Sequence, residues 1–176
     1  MPSNKAEYHH SITHRYACLY IVVCVPPTHT SFIASAYGLD ANTAAARKFI
    51  EANHPRLPLV FLHWPELAKS FWTSHPENAE KLWDWVKEDL AGGKKLYPLE
   101  LDAEVVAKRA AGLISNFCPR WKKLRSLDAL HVAAAVTGNF KTFASFDTRS
   151  FQRVLAATQK LKVWPPLTAE ENQFLK

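Results

Sequence analysis

Three carboxylates stand where the character of this chain changes. Asp147 directly follows an apolar run in "KTFASFDTRSF", Asp128 lies in "KLRSLDALHVAAAV", and Glu66 lies in "FLHWPELAKSFW". Each has an ordinary reading. Asp147 suits the N-cap of a helix starting at Thr148. Asp128, two residues after a capping Ser126, and Glu66, beside Pro65 in a first helical turn, both favour the positive end of a helix dipole. Taken together they point further. Three carboxylates at element boundaries on one sheet edge make an oxygen-rich pocket, which suits Mg²⁺ or Mn²⁺ and suits zinc poorly. Metal-assisted phosphodiester hydrolysis needs such a pocket, to lower the pKa of water, neutralise the phosphate and orient the attack.

Histidines lie close to these acids. His131 follows Asp128 by one turn, so the two form a D-x-x-H pair with metal-ligand spacing. On an otherwise apolar face, however, His131 reads as a hydrogen-bonded core residue. His63 precedes Glu66 as H-x-x-E, and the two motifs together would suit a dimetal helical bundle, which the strand-rich pattern argues against. His29 sits in "CVPPTHTSFIASAYG", where an apolar run gives way to Thr30 and Ser31.

The elements that hold these residues are legible from periodicity and breakers. Residues 19–25 are β-branched and apolar, as a buried parallel strand requires, and Pro26 and Pro27 end them. An apolar helix-like stretch follows over 32–37, then a helix over 42–53. A second strand over 57–62 runs into a helix that Pro65 starts. Leu82, Trp83 and Val86 form the buried stripe of a helix over 76–90, which Gly92 and Gly93 stop. Pro98 makes the third strand, 96–101, an edge strand. Asp102 caps a helix over 103–115, and Ser126 one over 127–137. A strand over 142–146, a helix over 148–158 and a short strand Lys162–Trp164 complete the pattern. Strands alternating with helices predict a three-layer α/β/α sandwich with a mostly parallel central sheet. Ligands in such sheets lie beyond the carboxyl ends of the strands, where the acids are. Residues 1–18 read as a loose N-terminal extension, 19–166 as the domain and 167–176 as a C-terminal tail.

Composition sets outer limits. A chain of 176 residues, 48% hydrophobic with 5 glycines, is long enough for one cored domain and is not low-complexity sequence. Its 22 Lys and Arg against 16 Asp and Glu leave +6, which leans toward a polyanionic partner. Arg120, Lys122, Lys123, Arg125 and Arg149 flank the acids, as phosphate contacts or as a solvated face. Cys18, Cys24 and Cys118 form no CxxC pair, so neither a disulfide framework nor a structural zinc site is supported, and a reducing cytoplasm fits. The run at 17–25 is about half the roughly 20 apolar residues that span a membrane. It imitates a signal peptide with cleavage near Ala36, but the polar stretch between and the acid Glu7 speak against secretion.

The segment "LRSLDALHVAAAVTGNFKTFASFDTRSFQRVLAATQKLKVWPP" resembles the C-terminal half of a PIN domain of the VapC toxin type. There a helix bearing S-x-D-x-x-H-x-A-x-A precedes a strand ending Phe-Asp. "HTSFIASAYGLDANTAAARKFI" resembles the family's opening, and "LHWPELAKSF" the helix that bears its Glu. The resemblance implies a Mg²⁺- or Mn²⁺-dependent endoribonuclease with Glu66, Asp128 and Asp147 as metal-binding carboxylates and Thr30 and Ser31 lining the site. It implies a structured RNA such as tRNA or rRNA as substrate, with a VapB-type antitoxin and a second copy of the chain as partners. The family pattern at the first strand's end is Asp-Thr-Ser or Asp-Ser-Ser, and this chain has His29-Thr30-Ser31. An imidazole there removes a charge and a hard oxygen from a Mg²⁺ site. The alternative reading is therefore a catalytically impaired PIN protein that still binds antitoxin or RNA.

Overall fold

The computed structural model describes residues 30–38, 40–53 and 56–176. The expected first strand over 19–25 and the extension over 1–18 lie outside the described residues. Within them the order is α1 (Thr30–Tyr37), α2 (Thr43–Asn53), β1 (Leu57–Leu59), α3 (His63–Ser74), α4 (Ala79–Ala91), β2 (Leu96–Pro98), α5 (Ala103–Phe117), α6 (Ser126–Thr137), β3 (Thr142–Ala144), α7 (Gln152–Thr158), β4 (Lys162–Trp164) and α8 (Ala169–Gln173).

The strands pair parallel in two pairs among the described residues. β1 runs beside β2 with Leu57 opposite Leu96, and β3 beside β4 with Phe143 opposite Val163. Side chains on a strand alternate between faces, and the burial follows that alternation. Phe143 and Val163 join an apolar cluster with Val106, Leu113, Val132 and Leu155 from α5, α6 and α7. Their neighbours Ala144 and Trp164 turn to a second cluster, with Phe32, Leu67, Phe71, Leu82 and Val86 from α1, α3 and α4. Helices therefore cover both faces of the strands, as the α/β/α expectation required. Small residues make the closest of these contacts possible. Ala129, Ala133, Ala134 and Ala135 are buried on α6, which lets α5 approach it.

Boundaries differ from the sequence reading where side chains intervene. The strand expected over 57–62 ends at Leu59, because the Val60 N–H donates to His63 Nδ1 at 3.1 Å and His63 opens α3. The strand expected over 96–101 ends at Pro98, after which the Leu99 N–H makes one more bond, to the Leu59 carbonyl at 3.0 Å. Helix α6 starts at Ser126 itself and takes Arg125, not Ser126, as its cap. The helix expected from Thr148 begins only at Gln152. Asp147 and Ser145 hold the intervening turn: Asp147 Oδ1 accepts from the Arg149 N–H at 2.9 Å and Ser145 Oγ from the Asp147 N–H at 3.1 Å. Asp102 caps α5 as its position promised, accepting from the N–H groups of Glu104 and Val105. Gly93, at φ 57°, turns the chain out of α4 in a conformation that a Cβ would strain.

Residues 167–176 carry structure of their own. Thr168 caps α8, and Glu171 is buried against α7. Its partner is Arg153, 2% exposed, whose Nε lies 3.0 Å from Glu171 Oε1. The same guanidinium donates to the carbonyls of Ser145 at 3.0 Å, Pro165 at 2.9 Å and Pro166 at 2.8 Å. Burial lowers the Arg153 pKa, and the neighbouring Glu171 and Asp147 oppose that. Removing one member of a buried ion pair leaves the other desolvated and uncompensated. Arg153→Met should accordingly cost about 3–5 kcal/mol in urea denaturation, and an unshifted midpoint would show that the latch carries no stability.

Candidate functional site

Each of the three acids is delivered by a different element. Glu66 comes from the first turn of α3, Asp128 from the first turn of α6, and Asp147 from the chain just beyond β3. The fold brings them to one region in two linked groups.

The first group is Asp128 and Asp147 on a shared cation. Arg125 Nε donates to Asp128 Oδ2 at 3.1 Å, and its terminal nitrogen donates to Asp147 Oδ2 at 3.1 Å. The Arg125 backbone N–H also donates to Asp128 Oδ2, at 3.3 Å. Asp128 is only 3% exposed. Burial pushes its carboxyl above the usual range, the Arg125 charge and hydrogen bonds pull it back, and Asp147 adds a smaller upward push. Asp147 is held in place by its own turn, and Arg149 Nε stands 3.9 Å from Asp147 Oδ1.

The second group centres on Glu66. Its Oε2 accepts from His131 Nε2 at 2.6 Å and from the Thr30 hydroxyl. His131 is buried, as its apolar face predicted, and its ring stacks on His63 with centroids 5.3 Å apart. The sequence reading thus placed His131 correctly in the core without showing that its polar atom ends on a candidate site acid. The D-x-x-H spacing was the only signal, and it pointed to a metal shared with Asp128 rather than to a bond across to α3.

Glu66 and Asp147 open on one cleft of about 510 Å³, which Thr30, Ser31, Lys69 and Arg149 also line. Asp128 does not line this cleft; Arg125 ties it to Asp147, which does. Of the basic residues expected to flank the acids, Arg149 stands in the cleft and Arg125 is committed to the acids themselves. Lys122 and Lys123 are exposed at the loop before α6. His29 lies outside the described residues. A second hollow of about 420 Å³, by Tyr37, Trp85 and Asp89, contains none of the expected site residues.

The donor chemistry fits a hard divalent cation. Asp128 and Asp147 both present carboxylate oxygens to the Arg125 guanidinium, a donor set of the hard-oxygen type. The described residues by themselves do not complete a cage: among them no group of three or more His, Cys, Asp and Glu is placed to hold a metal. No helix among the described residues is long and apolar enough to cross a membrane.

Residues 29–156, which span Glu66, Asp128, Asp147, Thr30 and Ser31, match the PIN domain. PIN domains are generally metal-dependent nucleases. No curated protein matches the chain. With the match covering most of its length and the helix-covered parallel strands in place, the chain belongs to the PIN domain family.

Proposed function

We propose that this protein is a metal-dependent endoribonuclease of the VapC type, the toxin of a toxin–antitoxin pair, cutting structured RNA such as tRNA or rRNA in the cytoplasm. The observation that carries the reading is the convergence of Asp128 and Asp147 on one positive charge, with Asp147 and Glu66 opening on one cleft. Asp128, Asp147 and Glu66 would hold Mg²⁺ or Mn²⁺. The metal, when bound, would supply an activated water and a counter-charge for the phosphate.

The chain's own residues do the positioning. His131 and Thr30 orient the Glu66 carboxylate by two hydrogen bonds to one oxygen, at the wall of the cleft. Ser145 holds the backbone of Asp147, so the carboxylate projects from a rigid turn. Arg149 and Lys69 line the same cleft and attract the RNA backbone. Arg125 holds the buried Asp128 carboxylate by its backbone N–H and its guanidinium, which fixes its orientation. A VapB-type antitoxin and a second copy of the chain are the partners this reading implies.

A second reading has its own support. His29 stands where the family pattern has Asp, and Arg125 occupies the acids that would bind metal. Both features suit an impaired PIN protein that binds antitoxin or RNA without efficient cleavage.

Three measurements decide between these readings. Asp147→Asn should lower cleavage of tRNA or rRNA in Mn²⁺ by about a hundredfold or more while leaving the thermal midpoint in place; equal cleavage would remove Asp147 from the site. Arg125→Gln should tighten Mn²⁺ binding, read by electron paramagnetic resonance, by about tenfold, since it removes a competing charge. Unchanged or weaker binding would mean that Arg125 does not compete for that place. His29→Asp should raise cleavage strongly if the site is impaired, and no gain over an active parent would discard the second reading.

A further inference from the structure

The cleft by the acids does not end at Arg149. A neighbouring cleft of about 440 Å³ shares Thr148 and Arg149 with it, so the two spaces adjoin. Its far wall is α8, which lies beyond the residues that match the PIN domain. Lys123 and Arg149 stand on this cleft against the single exposed acid Glu170. The other acid on its wall, Glu171, is taken up by Arg153 and by the Thr168 N–H.

An aromatic ladder leads into the cleft. Phe117 stacks on Trp121 at 4.7 Å, Trp121 on Phe151 at 5.2 Å and nearly parallel, and Phe174 meets Phe151 edge-on at 4.8 Å and 88°. The first rings are buried or half-buried, whereas Phe174 is 44% exposed. A ring held from behind by a packed ladder, with much of its surface in water and two cations across the cleft, has the parts of a single-strand platform: a base stacks on the ring while lysine and arginine hold the phosphate.

We propose that this cleft is a nucleotide subsite, in which a base of an unpaired RNA stretch flanking the cleavage position stacks on Phe174 while Lys123 and Arg149 bind its phosphate. The inference rests on the ribonuclease reading for its ligand, but the subsite needs no metal. Stacking on a π-face tolerates every base, so the subsite adds affinity rather than sequence preference.

The test is equilibrium binding of the full chain to a fluorescent short oligoadenylate, and to an abasic strand of equal length, in EDTA. Phe174→Leu keeps an apolar contact with Phe151 but removes the ring. It should weaken oligoadenylate binding by about tenfold and leave the abasic strand unaffected. Phe174→Trp should retain wild-type binding, and Lys123→Ala should weaken both strands. If Phe174→Leu binds oligoadenylate like the parent, or loses the abasic strand equally, the subsite is overturned. Cleavage by the unaltered chain in Mn²⁺, measured separately, tests the ribonuclease reading on its own: binding with the Phe174 signature but without cleavage would sink that reading and leave the subsite standing.

Discussion

One buried guanidinium holds the working end of this molecule together. Arg153 lies on α7, yet its contacts are the carbonyl at the end of β3, the carbonyls that follow β4, and the carboxylate of Glu171 on α8. A planar fork of donors with a delocalised charge serves several acceptors at once, which an ammonium does less well. Its desolvation is costly, so it is tolerable inside only because nearly every direction meets an acceptor. Both the acid turn at Asp147 and the terminal helix bearing Phe174 hang on this residue. The first is reached through Ser145, whose hydroxyl accepts from the Asp147 N–H and from the Gln152 side chain.

The second governing constraint is electrostatic. Carboxylates gathered at one lip repel each other and resist burial, so each needs a partner. Asp128 and Asp147 share Arg125, while Glu66 has His131 and Thr30. These partners serve two ends: they make the gathering of acids compatible with folding, and they aim the carboxylate oxygens. The same compensation sets the terms on which any cation enters, since it must take the place of a positive charge already there.

Much of the architecture was legible because it rests on local chemistry. The Asp102 cap, the Leu82 and Val86 stripe, the stop at Gly92 and Gly93 and the alanine face of α6 each follow from neighbours within a few residues. The boundaries that shifted did so through contacts that periodicity does not carry. His63 turned its ring back on the Val60 N–H and cut β1 short, and the Asp147 turn delayed α7 to Gln152. The C-terminal α8 had the signature Thr-x-x-Glu at Thr168 and Glu171, a capping box that a reading of 167–176 as a tail passed over.

The sequence by itself determined the kinds of residue available: acids at element boundaries, hydroxyls after the apolar run, a histidine just before those hydroxyls, and a basic excess. Those are properties of composition and spacing, and they need no third dimension. Only the tertiary structure decided which of them meet. Arg125, though exposed, is bonded to the acids, His131 reaches Glu66 from another helix, and Phe174 is exposed on a cleft that adjoins the one by the acids. The reason is that Arg125 and Asp147, His131 and Glu66, and Phe174 and Phe151 are far apart along the chain, and the energy of a long-range hydrogen bond or ring contact depends on distances that only packing sets.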